Sequence, residues 1–187
     1  MAGKATGFVT TTRVTHASPA PIYANSADRD WEDSAKDGCS DIASQLVRSD
    51  VGKKLRVILG GGQQSFLPTN MSAITNGITT EPGKRVDNVD LIDEWLKDKR
   101  HRNVKGKYIQ TAEELRKLDV DKVDHLFGMF AGSHMPYVLD LKDPKSVPSL
   151  AEMTSKAIQM LNKYNKNGYV LFVEGKFSNV AYCTCTN

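Results

Sequence analysis

Short runs of β-branched and aromatic residues alternate along this chain with longer stretches in which apolar residues recur at helical spacing. The short runs predict strands over residues 7–12, 55–59, 123–130 and 169–174. The helical spacing predicts helices over residues 38–49, 89–99, 111–118 and 149–164. Strands that alternate with helices predict an α/β fold, in which a mostly parallel central sheet is flanked by helices.

Two helices and one strand carry more detailed predictions. Thr111 with Glu114, and Ser149 with Glu152, have the spacing of a capping box, in which the hydroxyl and the carboxylate close the first helical turn. The run 169–174 hardly alternates between apolar and polar residues, which predicts a strand covered on both faces.

The connecting segments are interpreted from their glycines, prolines and asparagines. Residues 66–84 are rich in all three and predict a long surface loop. The glycines at 60–62 follow the second strand, but neither Gly-Lys-Ser/Thr nor the G-x-G-x-x-G pattern accompanies them. We therefore expect a tight turn at this strand end and no phosphate-binding loop.

The number of predicted strands bears on the domain organisation. Four strands make a thin sheet, and a buried strand at its edge exposes hydrogen-bonding groups. We therefore interpret residues 1–175 as a single partial domain, truncated at both ends. Residues 176–187 have neither helical period nor clear alternation, and we expect them to be an unrelated tail, encoded by intron or an alternative exon. The alternative is a genuine tail that covers the sheet edge.

Composition excludes several classes of protein. With 25 Lys and Arg against 22 Asp and Glu, the net charge of +3 over 187 residues is too small to indicate nucleic-acid binding. The longest apolar stretch, residues 169–173, is far below the roughly 20 residues of a membrane span. Residues 1–7 lack the apolar segment of a signal peptide. Cys39, Cys183 and Cys185 do not have the spacing of a zinc ribbon or a C-x-x-C redox motif.

Polar residues that could carry chemistry follow two predicted strands. His16, Ser18, Asp28, Arg29 and Asp30 crowd into one loop after the first strand, and Glu174 ends the last strand. Ligands of α/β proteins bind beyond the carboxyl ends of strands, which favours a site here. An ordinary polar loop is the alternative for the first group. Glu174 either caps the sheet or binds a metal, and its position favours the metal.

The amino-acid sequence of the chain also resembles that of a known family. The runs GFVTTTRVTHASP at 7–19 and YANSADRDW at 23–31 closely resemble the alkaline phosphatases, particularly the membrane-bound animal enzymes. The similarity extends in order over almost all of residues 3–175. Its further segments are residues 38–46, 57–62, 90–95, 126–130, 148–153 and 171–175.

The resemblance implies an alkaline-phosphatase-like sandwich and a role for each candidate residue. Arg29 matches the catalytic arginine that grips the substrate phosphate. Ser18 and Glu174 match ligands of a Mg²⁺ ion, and His16 matches the histidine that acts at this third metal site through bound water. Oxygen ligands suit Mg²⁺, and a planar guanidinium matches two phosphate oxygens. The implied reaction is the metal-dependent hydrolysis of phosphate monoesters through a phosphoserine intermediate.

The departures from the family pattern limit these roles. The nucleophilic serine and the first metal-binding aspartate of the family lie before the matched region, and its Asp and His zinc ligands lie after Gly175. We therefore expect only part of the Mg²⁺ site, and neither Zn²⁺ site, in this chain. The alternative function is that of a catalytically inactive splice form or fragment. A related sulfatase or phosphodiesterase is a further rival, and the runs at 7–19 and 23–31 argue against it.

The resemblance also implies a location and partners. Family members are homodimers on the extracellular face of the plasma membrane, held by a GPI anchor, although this chain lacks a recognisable signal peptide and anchor signal. The sequon at Asn70 fits a secreted glycoprotein. Cys39 matches a cysteine that pairs with an upstream partner outside this chain.

Overall fold

The fold is described from a computed structural model, which describes residues 3–75, 78–164 and 167–176. The expected tail at 176–187 therefore lies outside the described residues beyond Lys176, as do Cys183 and Cys185. Cys39 is exposed and has a free thiol.

The described elements follow one another in a largely alternating order. The strands are β1 (Ala5–Arg13), β2 (Val57–Gly61), β3 (Ser72–Thr75), β4 (Ile78–Pro82), β5 (Gly106–Ile109), β6 (His125–Met129) and β7 (Tyr169–Glu174). The helices are α1 (Ile42–Arg48), α2 (Asp50–Lys54), α3 (Leu91–His101), α4 (Ala112–Lys117) and α5 (Leu150–Asn162).

The central sheet has the strand order β5-β6-β2-β1-β7, and every pairing in it is parallel. The expected α/β fold with a mostly parallel sheet is confirmed. In the register of the edge pair, Thr10 of β1 lies beside Glu174 of β7. Because all strands run the same way, their carboxyl ends lie along one edge of the sheet and their amino ends along the other.

Side chains that alternate along the strands form a core on each face of the sheet. Phe8, Ile58 and Phe127 pack with α1 and α3 on one face. The neighbouring residues Val9, Leu59 and Leu126 pack with α5 on the other. Successive strand residues point to opposite faces, so a buried parallel strand needs apolar residues at both kinds of position.

The helices begin where the sequence places capping side chains. Both expected capping boxes are present, Thr111 with Glu114 and Ser149 with Glu152. Asp41 caps α1, which begins at Ile42 and not at residue 38 as expected. The delay has a backbone cause, since Asp37 and Gly38 both have positive φ, which is incompatible with a continuous helix.

Three loop and strand predictions need correction. The described part of residues 66–84 lies mostly at the surface as expected, but it is not a loop throughout, because β3 and β4 pair antiparallel there and Phe66 and Leu67 are buried. The four residues of β5 form a fifth strand of the sheet that the short pattern did not predict. Of the glycines at 60–62, the first two lie inside β2, and only Gly62, with φ of 96°, forms the turn.

The prediction that β7 is covered on both faces is wrong for this chain. Val170, Phe172 and Val173 are 55%, 37% and 42% exposed. β7 pairs with β1 alone among the described strands, and α5 contacts it on one side. An apolar run therefore lies at a sheet edge that no other described strand covers.

Candidate functional site

The predicted site residues lie at the carboxyl-end edge of the central sheet. β1 ends at Arg13 and leads into the turn that carries His16, while β7 ends at Glu174. The loop after β6 brings His134 to the same place, where its ring contacts the His16 ring edge-on at a centroid distance of 5.2 Å. Three separate parts of the chain thus converge on one site.

Glu174 is held against β1 by threonine hydroxyls. Its Oε2 accepts hydrogen bonds from Thr10 Oγ1 at 2.7 Å and from Thr12 Oγ1 at 3.2 Å. The two hydroxyls are 2.8 Å apart, and both threonines are buried. The carboxylate is therefore fixed in position, while its second oxygen has no hydrogen-bond partner among the described residues.

Arg29 and His16 are in direct contact. Arg29 Nη2 lies 3.1 Å from His16 Nε2, and the arginine is otherwise exposed. A guanidinium only donates hydrogen bonds, so Nε2 is the acceptor and the proton of a neutral ring lies on Nδ1. His16 Nδ1 is buried and has no hydrogen-bond partner in the described part of the chain.

The surroundings of His16 favour its neutral form. Burial lowers the pKa of His16 below its usual 6.5, and the positive charges of Arg13 and Arg29 lower it further. The imidazole is therefore uncharged at neutral pH, and can accept the hydrogen bond from Arg29.

An ion pair between the half-buried Arg13 and the buried Glu32 stabilises this turn. Arg13 Nε donates to Glu32 Oε2 at 2.8 Å, and Arg13 Nη2 donates to Glu32 Oε1 at 2.6 Å. Thr15 Oγ1 donates to the same carboxylate. Burial would raise the pKa of Glu32, but the hydrogen bonds from Arg13 and Thr15 outweigh it and leave this pKa below 4.5. The hydrogen-bonded ion pair of Arg13 and Glu32 thus holds the segment between β1 and α1 in place.

His134 joins this network from the loop after β6. Its Nε2 lies 2.6 Å from Arg13 Nη1, and its Nδ1 accepts a hydrogen bond of 3.3 Å from the Arg13 backbone N–H. Burial lowers the pKa of His134 to about 4, with a further contribution from the positive charge of Arg13. The ring is therefore neutral, so it accepts a hydrogen bond from Arg13 at one nitrogen and carries its proton on the other, and it ties the third segment to the first.

An open cavity of about 480 Å³ brings these groups to one surface. Its walls include Thr12, His16, His134 and Glu174, together with Tyr137 and Lys176 from the adjoining segments. Lys176 Nζ lies 4.5 Å from the Tyr137 ring centroid. The cavity offers a carboxylate, two imidazoles and an ammonium group within the dimensions of a small anionic ligand.

The structure brings some of the predicted residues together and leaves others apart. His16 and Glu174 share the cavity, and Arg29 reaches it through its hydrogen bond to His16. Ser18 is exposed in the turn and does not line this cavity. Asp28 Oδ1 accepts a hydrogen bond from the Asp30 backbone N–H, so this aspartate shapes its own loop.

The donor set fits Mg²⁺ only in part. Glu174 supplies a fixed oxygen, and the unpartnered Nδ1 of His16 could bind a metal-held water, because Mg²⁺ prefers oxygen ligands and keeps several waters. Among the described residues, however, no three His, Cys, Asp or Glu side chains converge on one point. A zinc site needs such a set, and the described residues do not provide one.

Sequence reasoning missed Arg13, Glu32 and His134. The rule that ligands bind beyond strand carboxyl ends could have found His134, which follows β6 by five residues. The Arg13–Glu32 pair gives no such signal, because its partners are 19 residues apart and meet only when the intervening loop folds.

Comparison with known proteins decides the family. The alkaline phosphatase family model matches residues 1–180. The chain belongs to the alkaline phosphatase family. It is 43% identical over 183 residues to a membrane-bound alkaline phosphatase of Bombyx mori, covering 92% of this chain and 32% of that protein. The resemblance found in the sequence is therefore confirmed, and the chain spans about a third of this relative.

Solved alkaline phosphatases share the fold. The enzyme from Thermus thermophilus superposes with a TM-score of 0.69 at 33% identity, over 92% of this chain and 29% of its own. A variant of the alkaline phosphatase from the Antarctic bacterium TAB5, with Mg bound in its M3 site, gives a TM-score of 0.62. That match covers 96% of this chain and 40% of the other, and at 22% identity it shows the fold alone. In the described ranges, no helix is both long and apolar enough to cross a bilayer.

Proposed function

We propose that this chain is part of a metal-dependent phosphomonoesterase. In it, Arg29 binds the substrate phosphate, and His16, Ser18 and Glu174 belong to a Mg²⁺ site. The observation that carries the proposal is the 3.1 Å contact between Arg29 and His16, beside the cavity that His16 shares with Glu174. Family membership supports the reaction class, hydrolysis of phosphate monoesters through a phosphoserine intermediate.

Arg29 is the catalytic residue of this proposal. Its side chain is exposed, so the guanidinium can present two N–H groups to two oxygens of a phosphate. Phosphoryl transfer depends mainly on positioning and on stabilising the charge of the transferring group. The neutral His16 orients Arg29 by accepting one hydrogen bond, and this leaves the remaining guanidinium donors for the substrate.

Glu174 would hold Mg²⁺, with Ser18 as a second oxygen ligand and His16 acting through water. Thr10 and Thr12 bind Oε2 of Glu174 and leave its other oxygen for the ion. When bound, Mg²⁺ supplies positive charge next to the phosphate site. Ser18 would have to turn towards the cavity, which its exposed position in the turn permits.

The second candidate function is phosphate binding without turnover. It is favoured by the donor set of the described residues, in which no three His, Cys, Asp or Glu side chains could hold zinc. The full-length family uses Zn²⁺ to activate its serine nucleophile. We therefore expect the 187-residue chain by itself to bind phosphate. We expect it to hydrolyse phosphate monoesters no faster than buffer does.

The remaining family properties are proposals of the same kind. Residues 1–175 would form part of a larger catalytic domain that dimerises, and residues 176–187 a separate tail. We propose the extracellular face of the plasma membrane, with a GPI anchor on the full-length protein, because the Bombyx mori relative is membrane-bound. Asn70 is exposed, as a glycosylated sequon must be.

Three measurements test the proposed function. Inorganic phosphate is titrated into the chain in the presence of Mg²⁺, and amide shifts are followed by NMR. We expect shifts around residues 16–18 and 29 that disappear in Arg29→Ala and survive in the control Lys36→Ala. Unchanged binding in Arg29→Ala would exclude Arg29 as the phosphate ligand.

Turnover is measured separately with p-nitrophenyl phosphate, Zn²⁺ and Mg²⁺. Background hydrolysis supports the binding function for this chain alone. Turnover that Arg29→Ala abolishes would instead establish catalysis by the chain itself. A calorimetric titration with Mg²⁺ completes the test, because Glu174→Gln should remove its binding heat while Glu113→Gln, on exposed α4, should not.

A further inference from the structure

A second cavity, of about 340 Å³, lies at the opposite edge of the sheet. Its walls come from the segments that enter the amino ends of β1, β2 and β6, and from the end of α5. β1 alone is nine residues long, so roughly 30 Å of strand separates this cavity from the candidate site, at about 3.3 Å per residue. The two cavities are independent.

The lining of this basic cavity carries an excess of positive charge. Its charged and aromatic lining residues are Lys4, Lys54, Arg56, Arg102, His125 and Tyr164. Among the described residues, no acidic side chain lines it. Asp98 approaches from α3 and pairs with Arg102 at 3.4 Å, but the same carboxylate also pairs with Lys53 and Lys99. Positive charges held this close together repel one another, and a bound anion would relieve the repulsion.

The side chain of Arg56 is held in a fixed position, as an anion-binding arginine would be. Its guanidinium stacks on the Tyr164 ring, with Cζ 4.3 Å from the ring centroid. Its Nη1 donates to His125 Nε2 at 3.1 Å and to the Asp124 carbonyl at 3.4 Å. The Asp124 carboxylate is engaged elsewhere, by the Tyr164 hydroxyl and the Lys105 backbone N–H. Within the described contacts, the Nε and Nη2 donors of Arg56 remain without a partner.

His125 is the residue that fixes this geometry. It is only 2% exposed, and its Nδ1 donates to the Leu55 carbonyl at 2.8 Å, which leaves Nε2 as the acceptor for Arg56. Burial lowers the pKa of His125 to about 4, so the ring stays neutral and accepts this bond at physiological pH. A rigid Nε–Nη2 edge matches two oxygens of a tetrahedral oxyanion.

We propose that this basic cavity is a second anion-binding site, in which Arg56 binds a phosphate-type oxyanion bidentately and Lys4, Lys54 and Arg102 supply further positive charge. The ligand is either free inorganic phosphate or the phosphate group of a small monoester. The site is distinct from the proposed phosphate site at Arg29, and it stands whether or not that proposal holds.

The test uses the full chain carrying Arg29→Ala, so that the other candidate phosphate site is disabled. Inorganic phosphate and methyl phosphate are titrated separately, and amide shifts are followed by NMR. We expect shifts around residues 3–5, 54–56 and 125, and none around residues 16–18. Tighter binding of methyl phosphate would identify the monoester as the ligand, and tighter binding of inorganic phosphate would identify the free ion.

Variants separate this site from general attraction of anions to a basic protein. Arg56→Gln should weaken binding about tenfold, since one charge-assisted bidentate contact is lost, and Arg56→Lys should restore only part of it. Lys54→Gln, at an exposed side chain, should weaken binding without disturbing the fold. Lys142→Gln removes the same charge outside the cavity and should leave binding unchanged. Equal binding by the Lys54, Arg56 and Lys142 variants would overturn the proposal.

Discussion

Glu174 and Thr10 are 164 positions apart in the sequence, yet the Thr10 hydroxyl donates a 2.7 Å hydrogen bond to the Glu174 carboxylate. The contact follows from the parallel pairing of β1 with β7, which places the two residues side by side. A buried hydroxyl thereby fixes the carboxylate proposed as the metal ligand. The integrity of the candidate site thus depends on a sheet pairing between distant parts of the chain.

Thr10→Val should therefore lower the free energy of unfolding by about 2 kcal/mol, because it keeps the shape of a buried side chain and removes its hydrogen bonds. The lost bonds are the one that Thr10 Oγ1 donates to Glu174 and the one that it accepts from the Thr12 backbone N–H. Urea unfolding measures the change. Thr79→Val, at an exposed position of β4, is the matched control, and equal effects of the two substitutions would refute the structural role of Thr10.

Removing the charge of Glu32 should destabilise the chain through its half-buried partner Arg13. We expect Glu32→Gln to cost about 2 kcal/mol at pH 7, since the half-buried guanidinium loses its charge-assisted hydrogen bonds but stays in contact with water. Arg13→Lys should cost less, because it keeps the charge and loses only the two-pronged contact.

The same pair predicts a pH dependence with a definite sign. The pKa of Glu32 in the folded protein lies below its ordinary value of 4.5. The carboxylate therefore contributes its full stability above pH 4.5, and the contribution is lost as the pH falls through the folded-state pKa. The difference in unfolding free energy between the wild type and Glu32→Gln should shrink over that range. A difference that stays constant from pH 7 to about pH 3 would contradict this assignment.

His125 predicts a second pH dependence at milder acidity. Burial lowers its pKa from 6.5 to about 4, so between these values the unfolded chain binds a proton that the folded chain does not. Stability should fall as the pH drops from 6.5 to about 4, by up to about 1.4 kcal/mol per pH unit. His125→Asn can keep the hydrogen bond to the Leu55 carbonyl without titrating, and its stability should vary less over this range. Identical pH profiles would show that His125 titrates normally.

Gly61→Ala should disrupt the link between β2 and the loop that carries His134. A Cβ at this position would lie 2.2 Å from the Ser133 carbonyl oxygen, so backbone would have to move. We expect a loss of about 3 kcal/mol in urea unfolding. Gly38→Ala, where φ is 73° and no atom lies within 4 Å, should cost only about 1 kcal/mol of backbone strain. Similar losses at the two positions would mean that the close approach at Gly61 relaxes easily.

Local features of the fold could be predicted because their causes lie within a few residues. The capping boxes at Thr111 and Ser149 need only a hydroxyl and a glutamate three positions apart, and both helices begin there. The strand β5 could not be predicted, since its four residues form a strand only because β6 offers them backbone partners.

The candidate site likewise has residues that the sequence predicts and residues that it does not. His16, Arg29 and Glu174 are predicted from the resemblance and from the strands they end or follow, and the structure places His16 and Glu174 in one cavity. The contacts of His134 with Arg13 span 121 positions, and no periodicity in the sequence encodes a contact of that range. Ser18 shows that closeness in the sequence is not sufficient either. It lies two positions from His16 and still lies outside the cavity.

The pairing of β1 with β7 has a consequence for synthesis of the protein. Of the described strands, β1 is made first; it lies inside the sheet, but one of its edges has no partner among the described strands until β7 has left the ribosome. At about 5–20 residues per second, the 155 residues between Arg13 and Tyr169 take roughly 8–30 s to translate. The threonines that hold Glu174 therefore lack this carboxylate for that time, and the edge of β1 that faces β7 lacks the neighbour it has in the fold.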